Sequence, residues 1–405
     1  MKGAARAGAA RPPDIAVIAG EPSGDALGGR LLAALRAETG DTLRIRGVGG
    51  PEMEAQGLSS LFPMAELSVM GLAEVLPHLR RLRRRLHDVT AALRADPPDA
   101  VVTIDSPGFT LRLHRRLADL ETARIHYVAP QVWAWKPGRA KRLARDLDLL
   151  LALLPFEPPL FTRHGLPTRF VGHPAVERLH DAPDPGAFRD AHDIPRRAPL
   201  LCVLPGSRRS EVDRLLPVFE ATAARLATAF PGLHAVVPTV PAVEARLRAG
   251  VAVWPVPARV VTGSGERLAA FAAADAALAA SGTVATELAV AGTPTVIGYR
   301  MNPLSEFAAR RLVKLPYVSI PNLVLGREVQ PEYLLENCTP DRLAEQVTAF
   351  MADGTARSRA MSDGAAAARV LRAGEAPPSR AAAATILEAL GGDTASAAQR
   401  WSSGT

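Results

Sequence analysis

Asp105 stands at the end of the apolar run 101–104 and directly before Ser106-Pro107. Ser106 with Pro107 reads as the N-cap and first residue that open a helix over 109–117, so capping does not need Asp105. The carboxylate is then left at the carboxyl end of a buried strand. Partial burial there raises a carboxyl pKa toward that of a general base, although a structural aspartate is the competing reading. Glu21 occupies a comparable place in Ala19-Gly20-Glu21-Pro22-Ser23-Gly24-Asp25, between an apolar run and a helix over 26–35. The glycines at 20, 24 and 28 do not have the G-x-G-x-x-G dinucleotide spacing. They still permit close backbone approach, and free N–H groups at the helix start suit an anion or a hydroxyl. Ser23 or Asp25 would cap this turn; capping gives no reason for Glu21.

Two stretches in the second half address phosphate. Ser281-Gly282-Thr283-Val284-Ala285-Thr286-Glu287 follows the apolar run 276–279. Ser281, Gly282 and Thr283 would present N–H groups at a helix N-terminus to a pyrophosphate. Glu287, at i+4 from Thr283, lies one turn deeper on the same face, where one carboxylate can accept both hydroxyls of a ribose. An ordinary cap followed by a surface glutamate is the alternative. Leu204-Pro205-Gly206-Ser207-Arg208 lacks the Gly-Lys-Ser/Thr of a P-loop, yet its Gly-Ser turn and Arg208 can clamp a diphosphate.

These residues need a scaffold, and the chain supplies one. Short apolar runs at 15–19, 45–48, 101–104, 125–128 and 149–153 alternate with helical patterns, the rhythm of parallel sheets covered on both faces. A second series runs through 200–204, 235–237, 258–261, 276–279 and 295–297. Between the two, 174–199 is rich in Pro, Asp, Arg and Ala, with a short helix expected at 187–192. The reading is a tail over 1–12, a domain over 13–175, a linker over 176–198, a domain over 199–370, a helix over 371–390 that packs back on the first domain, and a tail over 391–405. In doubly wound sheets ligands bind beyond the carboxyl ends of the strands, where the singled-out residues fall.

Two further segments keep two readings each. His126-Tyr127-Val128-Ala129-Pro130-Gln131-Val132-Trp133-Ala134-Trp135 would, if extended, set both tryptophans on one face, for stacking on a sugar or base or for packing in a core. The basic run Lys136, Arg139, Lys141, Arg142 and Arg145 meets a phosphate or an anionic bilayer, or is a solvated helix face. Apolar 67–76, followed by Arg80, Arg81, Arg83, Arg84 and Arg85, has the make-up of a grip on acidic lipid, or of a buried helix running into an exposed one.

The 405 residues suffice for two to three domains, and Lys plus Arg exceed Asp plus Glu by 48 − 41 = 7, which reads either as an anionic partner or as the Arg- and Ala-rich usage of a GC-rich genome. No stretch approaches the ~20 apolar residues of a membrane span, and 1–13 has no apolar core suited to a secretory signal. Cys202 and Cys338 fit a reducing compartment, so a cytoplasmic protein is expected. Aromatic residues make up only 5%, and the arginine clusters adjoin apolar stretches, which disfavours nucleic acid as the partner.

Taken in order, these segments resemble the lipid-A-disaccharide synthase family over roughly 15–390. The resemblance is carried by Gly20-Glu21-Pro22-Ser23-Gly24-Asp25, Val69-Met70-Gly71, Asp105-Ser106-Pro107, the 127–135 segment and Leu153-Leu154-Pro155-Phe156-Glu157. Gly172-His173-Pro174, Leu204-Pro205-Gly206-Ser207-Arg208, Ala280-Ser281-Gly282-Thr283 and Pro321-Asn322-Leu323 continue it. It implies an α/β GT-B fold, two doubly wound Rossmann-like domains facing across a cleft, the first binding acceptor and the second UDP-sugar. It implies an inverting glycosyltransferase that condenses UDP-2,3-diacylglucosamine with 2,3-diacylglucosamine 1-phosphate (lipid X) into a β-1′,6-linked disaccharide 1-phosphate and UDP. No metal or other cofactor is expected; helix N-termini and Arg208 would stabilise the departing UDP.

Carried over residue by residue, Asp105 is the candidate base for the acceptor 6-hydroxyl, and Glu21 and Ser23 position acceptor or donor sugar. Arg208, Ser281, Gly282, Thr283 and Glu287 hold UDP, and Asn322 and Arg327 complete the donor site. Val69, Met70, Leu72, Arg81 and Arg84 would contact acceptor or membrane, placing the protein peripherally on the cytoplasmic face of the inner membrane. Where family members often carry Asp and Asn, this chain has Gly108 and Thr110. That departure concentrates the base role on Asp105. A homodimer with exchanged C-terminal segments is a further family trait. Another UDP-sugar transferase or epimerase on the same fold would share the second-half motifs but fits 127–135 and 20–25 poorly. A basic nucleic-acid-binding protein is the remaining alternative.

Overall fold

Strands apolar along their whole length cannot expose a face, and here they build two parallel sheets. The computed structural model describes residues 12–67, 72–135, 138–177, 184–301 and 315–391. The chain divides into two units, Met1–Pro174 with Ala373–Thr405, and Ala175–Arg372. The first begins β1 (Asp14–Ala19), α1 (Pro22–Thr39), β2 (Arg44–Val48), α2 (Pro51–Glu54), α3 (Leu72–Ala95) and β3 (Ala100–Ile104). It continues α4 (Pro107–Arg116), β4 (Ala123–Tyr127), α5 (Val132–Trp135), α6 (Arg139–Asp146), β5 (Leu149–Ala152), α7 (Pro158–Thr162) and β6 (Thr168–Phe170).

The second unit opens with α8 (Pro185–Ala191), β7 (Leu200–Leu204), α9 (Arg209–Ala229), β8 (His234–Thr239), α10 (Glu244–Val251) and β9 (Ala258–Thr262). Then come α11 (Ser264–Ala273), β10 (Ala276–Ala279), α12 (Thr283–Val290), β11 (Thr295–Tyr299), the helix Ile320–Leu325 and β12 (Glu332–Leu334). The helices Pro340–Ala352 and Gly354–Val370 complete it.

Strand order is β2-β1-β3-β4-β5-β6 in the first sheet and β12-β11-β10-β7-β8-β9 in the second. All ten apolar runs overlap strands, and every pairing is parallel. The two strands without such a run, β6 and β12, have three residues each and form sheet edges. In the first unit the chain places β2 on one side of β1 and β3 on the other; in the second, β8 and β10 flank β7. Connections therefore diverge at β1/β3 and at β7/β10, and a crevice opens there at the carboxyl ends of the strands.

The helix Pro378–Gly391 belongs to the first unit. Its Ala382, Ala383 and Ile386 are buried in the same apolar cluster as Leu31 and Leu35 of α1, and Arg380 lies 3.5 Å from Glu38.

Candidate functional site

At the first divergence point, Ile104 pairs with Ala19, so the loops after β1 and β3 leave the sheet side by side. Asp105 and Ser106 both adopt left-handed backbone, at φ 50° and 46°, and Val128 after the next strand does so at φ 82°. Such conformations cost about 1–3 kcal/mol each and persist only where surroundings enforce them. The enforcement is visible. The Asp105 N–H donates to Tyr127 O at 3.0 Å, the Val128 N–H to Leu151 O at 3.0 Å, and Thr110 Oγ1 to Asp105 O at 2.9 Å and Ser106 O at 3.0 Å.

Ser106 takes the N-cap position of α4 with Pro107 next, but its side chain makes no capping bond. Left-handed backbone turns the hydroxyl away, and Oγ donates instead to Glu21 Oε1 at 3.3 Å. Gly20 permits this approach, because a Cβ there would stand 2.8 Å from Ser106 Oγ. Asp105 is half-buried, and desolvation raises its pKa above the ordinary carboxylate value, opposed only by the Ser106 backbone N–H. A carboxylate held this way can take a proton from a hydroxyl.

Neither Ser23 nor Asp25 caps α1. Glu21 occupies the N-cap position without a side-chain cap, and Ser23 is exposed in the first turn. Asp25 is buried and reaches across to α2, accepting N–H bonds from Gly50 (2.8 Å), Glu52 (3.1 Å) and Met53 (3.1 Å). It fastens the loop after β2, and so serves structure.

Val132–Trp135 forms a short helix, so the extended backbone on which the shared-face reading depended is not present there. Trp133 Nε1 donates to Glu157 Oε1 at 3.1 Å and its ring meets Phe156 edge-on at 5.3 Å. Glu157, whose other oxygen accepts from the Leu154 N–H at 3.0 Å, is buried, and burial pushes its pKa up to about 7. Its folded pKa lies above the unfolded value of 4.5, so its contribution to stability is fully present below pH ~4.5 and lost as pH rises through about 7. That is worth about 3 kcal/mol. The melting midpoint of Glu157→Gln should lose this pH dependence between about 5 and 8, whichever way its absolute value moves; an unchanged profile by calorimetry would contradict the assignment.

A second buried group escaped sequence reading. Thr103 Oγ1 lies 2.7 Å, hydrogen-bond distance, from both His114 Nε2 and His126 Nδ1, and ties β3, β4 and α4 together. Burial holds His126 at about pKa 4 and His114 well below its usual value, so both are neutral.

In the second unit Ala279 pairs with Leu204, so the 205–208 and 280–283 loops emerge together at the β7/β10 divergence point. Gly206, at φ 118°, turns the chain so that Glu211 receives the N–H groups of Ser207 (3.2 Å) and Arg208 (3.3 Å). Glu211 also pairs with the Arg208 guanidinium at 2.9 Å, so Arg208 is engaged rather than an open clamp. The Arg208 side chain is 56% exposed. Exposed pairs of this kind are worth at most ~1 kcal/mol, and a diphosphate can displace Glu211.

Gly282 is the N-cap of α12, and among the described residues no side chain caps it. Gly282 and Thr283 are exposed, Ser281 is half-buried, and Glu287 is buried with Oε1 3.5 Å from Arg267. Asn322 is fully buried. Its Nδ2 donates to Gln330 O (2.7 Å) and Glu332 Oε1 (2.8 Å), and its Oδ1 accepts from the Val329 and Gln330 N–H groups (2.8 Å each). Every donor and acceptor of the Asn322 amide is thus used within the protein. Gln330 Nε2 in turn donates to Ala285 O of α12 at 2.8 Å. Arg327 is tied to Asp363.

Of the surface residues, Val69 and Met70 lie outside the described residues, as does the side chain of Leu72. Arg81 is half-buried and Arg84 exposed, whereas Arg85 is neutralised by Glu66 at 2.6 Å and Asp88 at 3.1 Å. Among the described residues no helix is long and apolar enough to cross a membrane.

Two parallel doubly wound units, each with its polar loops at a divergence point, define the class: the GT-B fold. UDP-GlcNAc 2-epimerase from Neisseria meningitidis, solved with UDP-GlcNAc bound, superposes with a TM-score of 0.62 at 11% identity, over 93% of this chain and 99% of that one. MurG of Acinetobacter baumannii gives 0.57 at 13%, over 93% and 100%. Sequence narrows the class further. The family model for lipid-A-disaccharide synthetase matches residues 15–385. The chain is 51% identical over 382 residues to the lipid-A-disaccharide synthase of Rhodospirillum centenum, covering 94% of this chain and 95% of that one. It is 49% identical over 380 residues to that of Paramagnetospirillum magneticum, covering 92% and 96%. The chain belongs to the lipid-A-disaccharide synthase family and is a glycosyltransferase.

Proposed function

We propose that the protein transfers 2,3-diacylglucosamine from its UDP derivative to the 6-hydroxyl of 2,3-diacylglucosamine 1-phosphate. Asp105 takes the hydroxyl proton as the oxygen attacks the donor's anomeric carbon. The bond from that carbon to UDP breaks with inversion, and UDP leaves with the bonding electron pair. Arg208 and the N–H groups at the start of α12 meet the growing charge on the diphosphate, and Glu287 holds the ribose. Glu21, joined to Ser106, and Ser23 orient the sugars. The observation that carries this reading is the half-buried, pKa-raised Asp105 at the divergence point of the first sheet, in a chain of this family.

The test is incubation with the two acylated sugars. UDP and a disaccharide 1-phosphate in equal amounts are expected; an epimerised UDP-sugar, or UDP without disaccharide, would overturn the reading.

Acylated substrates favour a peripheral location at the cytoplasmic face of the inner membrane, with Arg81 and Arg84 of α3 toward the bilayer. Charge reversal at Arg81 and Arg84 should reduce sedimentation with acidic vesicles severalfold; unchanged sedimentation would leave those arginines as a solvated face. A homodimer with exchanged C-terminal segments would move the helix Pro378–Gly391 from α1 of its own chain to α1 of a partner. Light scattering that reports a monomer at working concentration would refute it.

A further inference from the structure

Beside the loop that carries Asp105 lies a cavity of about 210 Å³, lined by Pro107, Gly108 and Leu111, by the arginines 112, 115, 139 and 142, and by Pro130, Leu143 and Asp146. Pro107 and Gly108 open α4 immediately after Asp105 and Ser106, so the cavity and the candidate base share one loop. Arginines come from two elements, Arg112 and Arg115 from α4 and Arg139 and Arg142 from α6, and all four are exposed.

One carboxylate faces these four guanidinium groups. Asp146 is buried, lies 3.5 Å from Arg115 Nε, also interacts electrostatically with Arg142, and has its pKa raised by burial. Among the described residues Arg112 and Arg142 form no salt bridge and no side-chain hydrogen bond, although Arg142 is close enough to act electrostatically on Asp146. Arginines on two facing helices give the concavity a positive potential. A dianion would be drawn to it, and planar guanidinium groups match phosphate oxygens in bidentate fashion.

We propose that this cavity binds a phosphate ester, with Arg112 and Arg142 as its principal ligands. On the transfer reaction proposed above, on which only this choice of ligand depends, the ester is the 1-phosphate of the acceptor. A small polar cavity then holds the acceptor sugar by its anomeric phosphate, and so orients the 6-hydroxyl toward Asp105. The phosphate of an anionic phospholipid would be recognised by the same chemistry.

The test uses the full chain, the double variant Arg112→Ala/Arg142→Ala, and a control, Arg163→Ala/Arg259→Ala, that removes two exposed arginines elsewhere and keeps the net charge equal. Glucosamine 1-phosphate, followed by phosphorus NMR with glucosamine as competitor, should bind the double variant at least roughly tenfold more weakly than the control. Arg142→Lys should retain part of the binding. In detergent, the KM for the phosphorylated acceptor should rise about tenfold with kcat and the UDP-sugar KM unchanged, while an acceptor without the 1-phosphate is used equally by all proteins. If only sedimentation with phosphatidylglycerol vesicles falls, the phosphate ester is the bilayer's. A double variant that matches the control in every arm overturns the site. Should the unmodified protein make no disaccharide, the transfer reading fails, while the NMR arm still decides whether the cavity takes a phosphate ester.

Discussion

Replacing Asp105 by Asn is expected to lower kcat by about three orders of magnitude and to leave UDP affinity within twofold, the signature of a lost general base. Asn is the informative replacement, because it tolerates the left-handed φ of 50° that Ala would resist. The loss then reflects the missing proton acceptor rather than a rebuilt loop. Desolvation raises the Asp105 pKa, so the base is protonated, and inactive, at pH values where an ordinary carboxylate is still charged. The acid limb of kcat/KM should therefore fall above the usual carboxylate range and vanish in the variant. Initial rates across pH decide this. Persistence of the limb in Asp105→Asn would transfer the role to Glu21, whose Oε1 is bonded to the adjacent Ser106. Gly108 offers no carboxylate of its own, and a side chain there would meet open space.

What the sequence made legible follows the range of the interactions. Strands buried on both faces announce themselves as apolar runs, and a loop after a run is placed at the carboxyl edge by chain direction alone. Asp105, Glu21 and Ser281 are singled out on that ground. β6 (Thr-Arg-Phe) and β12 (Glu-Tyr-Leu) were not, because edge strands of three residues are partly exposed and mix polar with apolar types. Partnerships between distant residues left no local trace. Asp25 sits where an N-cap would, yet binds N–H groups 25 to 28 positions away. Asn322 enters the donor site through the family resemblance, and its short motif gives no hint of the 329–332 segment that saturates its amide. The alternation at Trp133 and Trp135 leaves extended and helical backbone equally open, and the backbone of Val132–Trp135 is helical.

Glu287→Gln should weaken UDP binding by roughly 10- to 100-fold while saturating kcat changes little, the pattern expected when a contact is made equally in ground and transition states. A charged acceptor shared by two ribose hydroxyls is worth more than a neutral amide oxygen, and the amide's own N–H groups oppose one of the hydroxyls. Gln is preferred to Ala for a structural reason. Glu287 is buried beside Arg267, whose Nε is itself buried without a hydrogen-bond partner among the described residues. Truncation to Ala would leave that guanidinium facing a void and would mix lost stability into lost affinity. Gln keeps the volume and one acceptor. Calorimetry with UDP and with uridine then separates the parts. Both should lose affinity in Glu287→Gln by the same factor, because both carry the ribose. Arg208→Ala should weaken UDP alone, since only UDP carries the diphosphate. If Glu287→Gln bound UDP as tightly as the parent, Glu287 would be the buried partner of Arg267 and nothing more, and the ribose would need another acceptor at the β7/β10 edge.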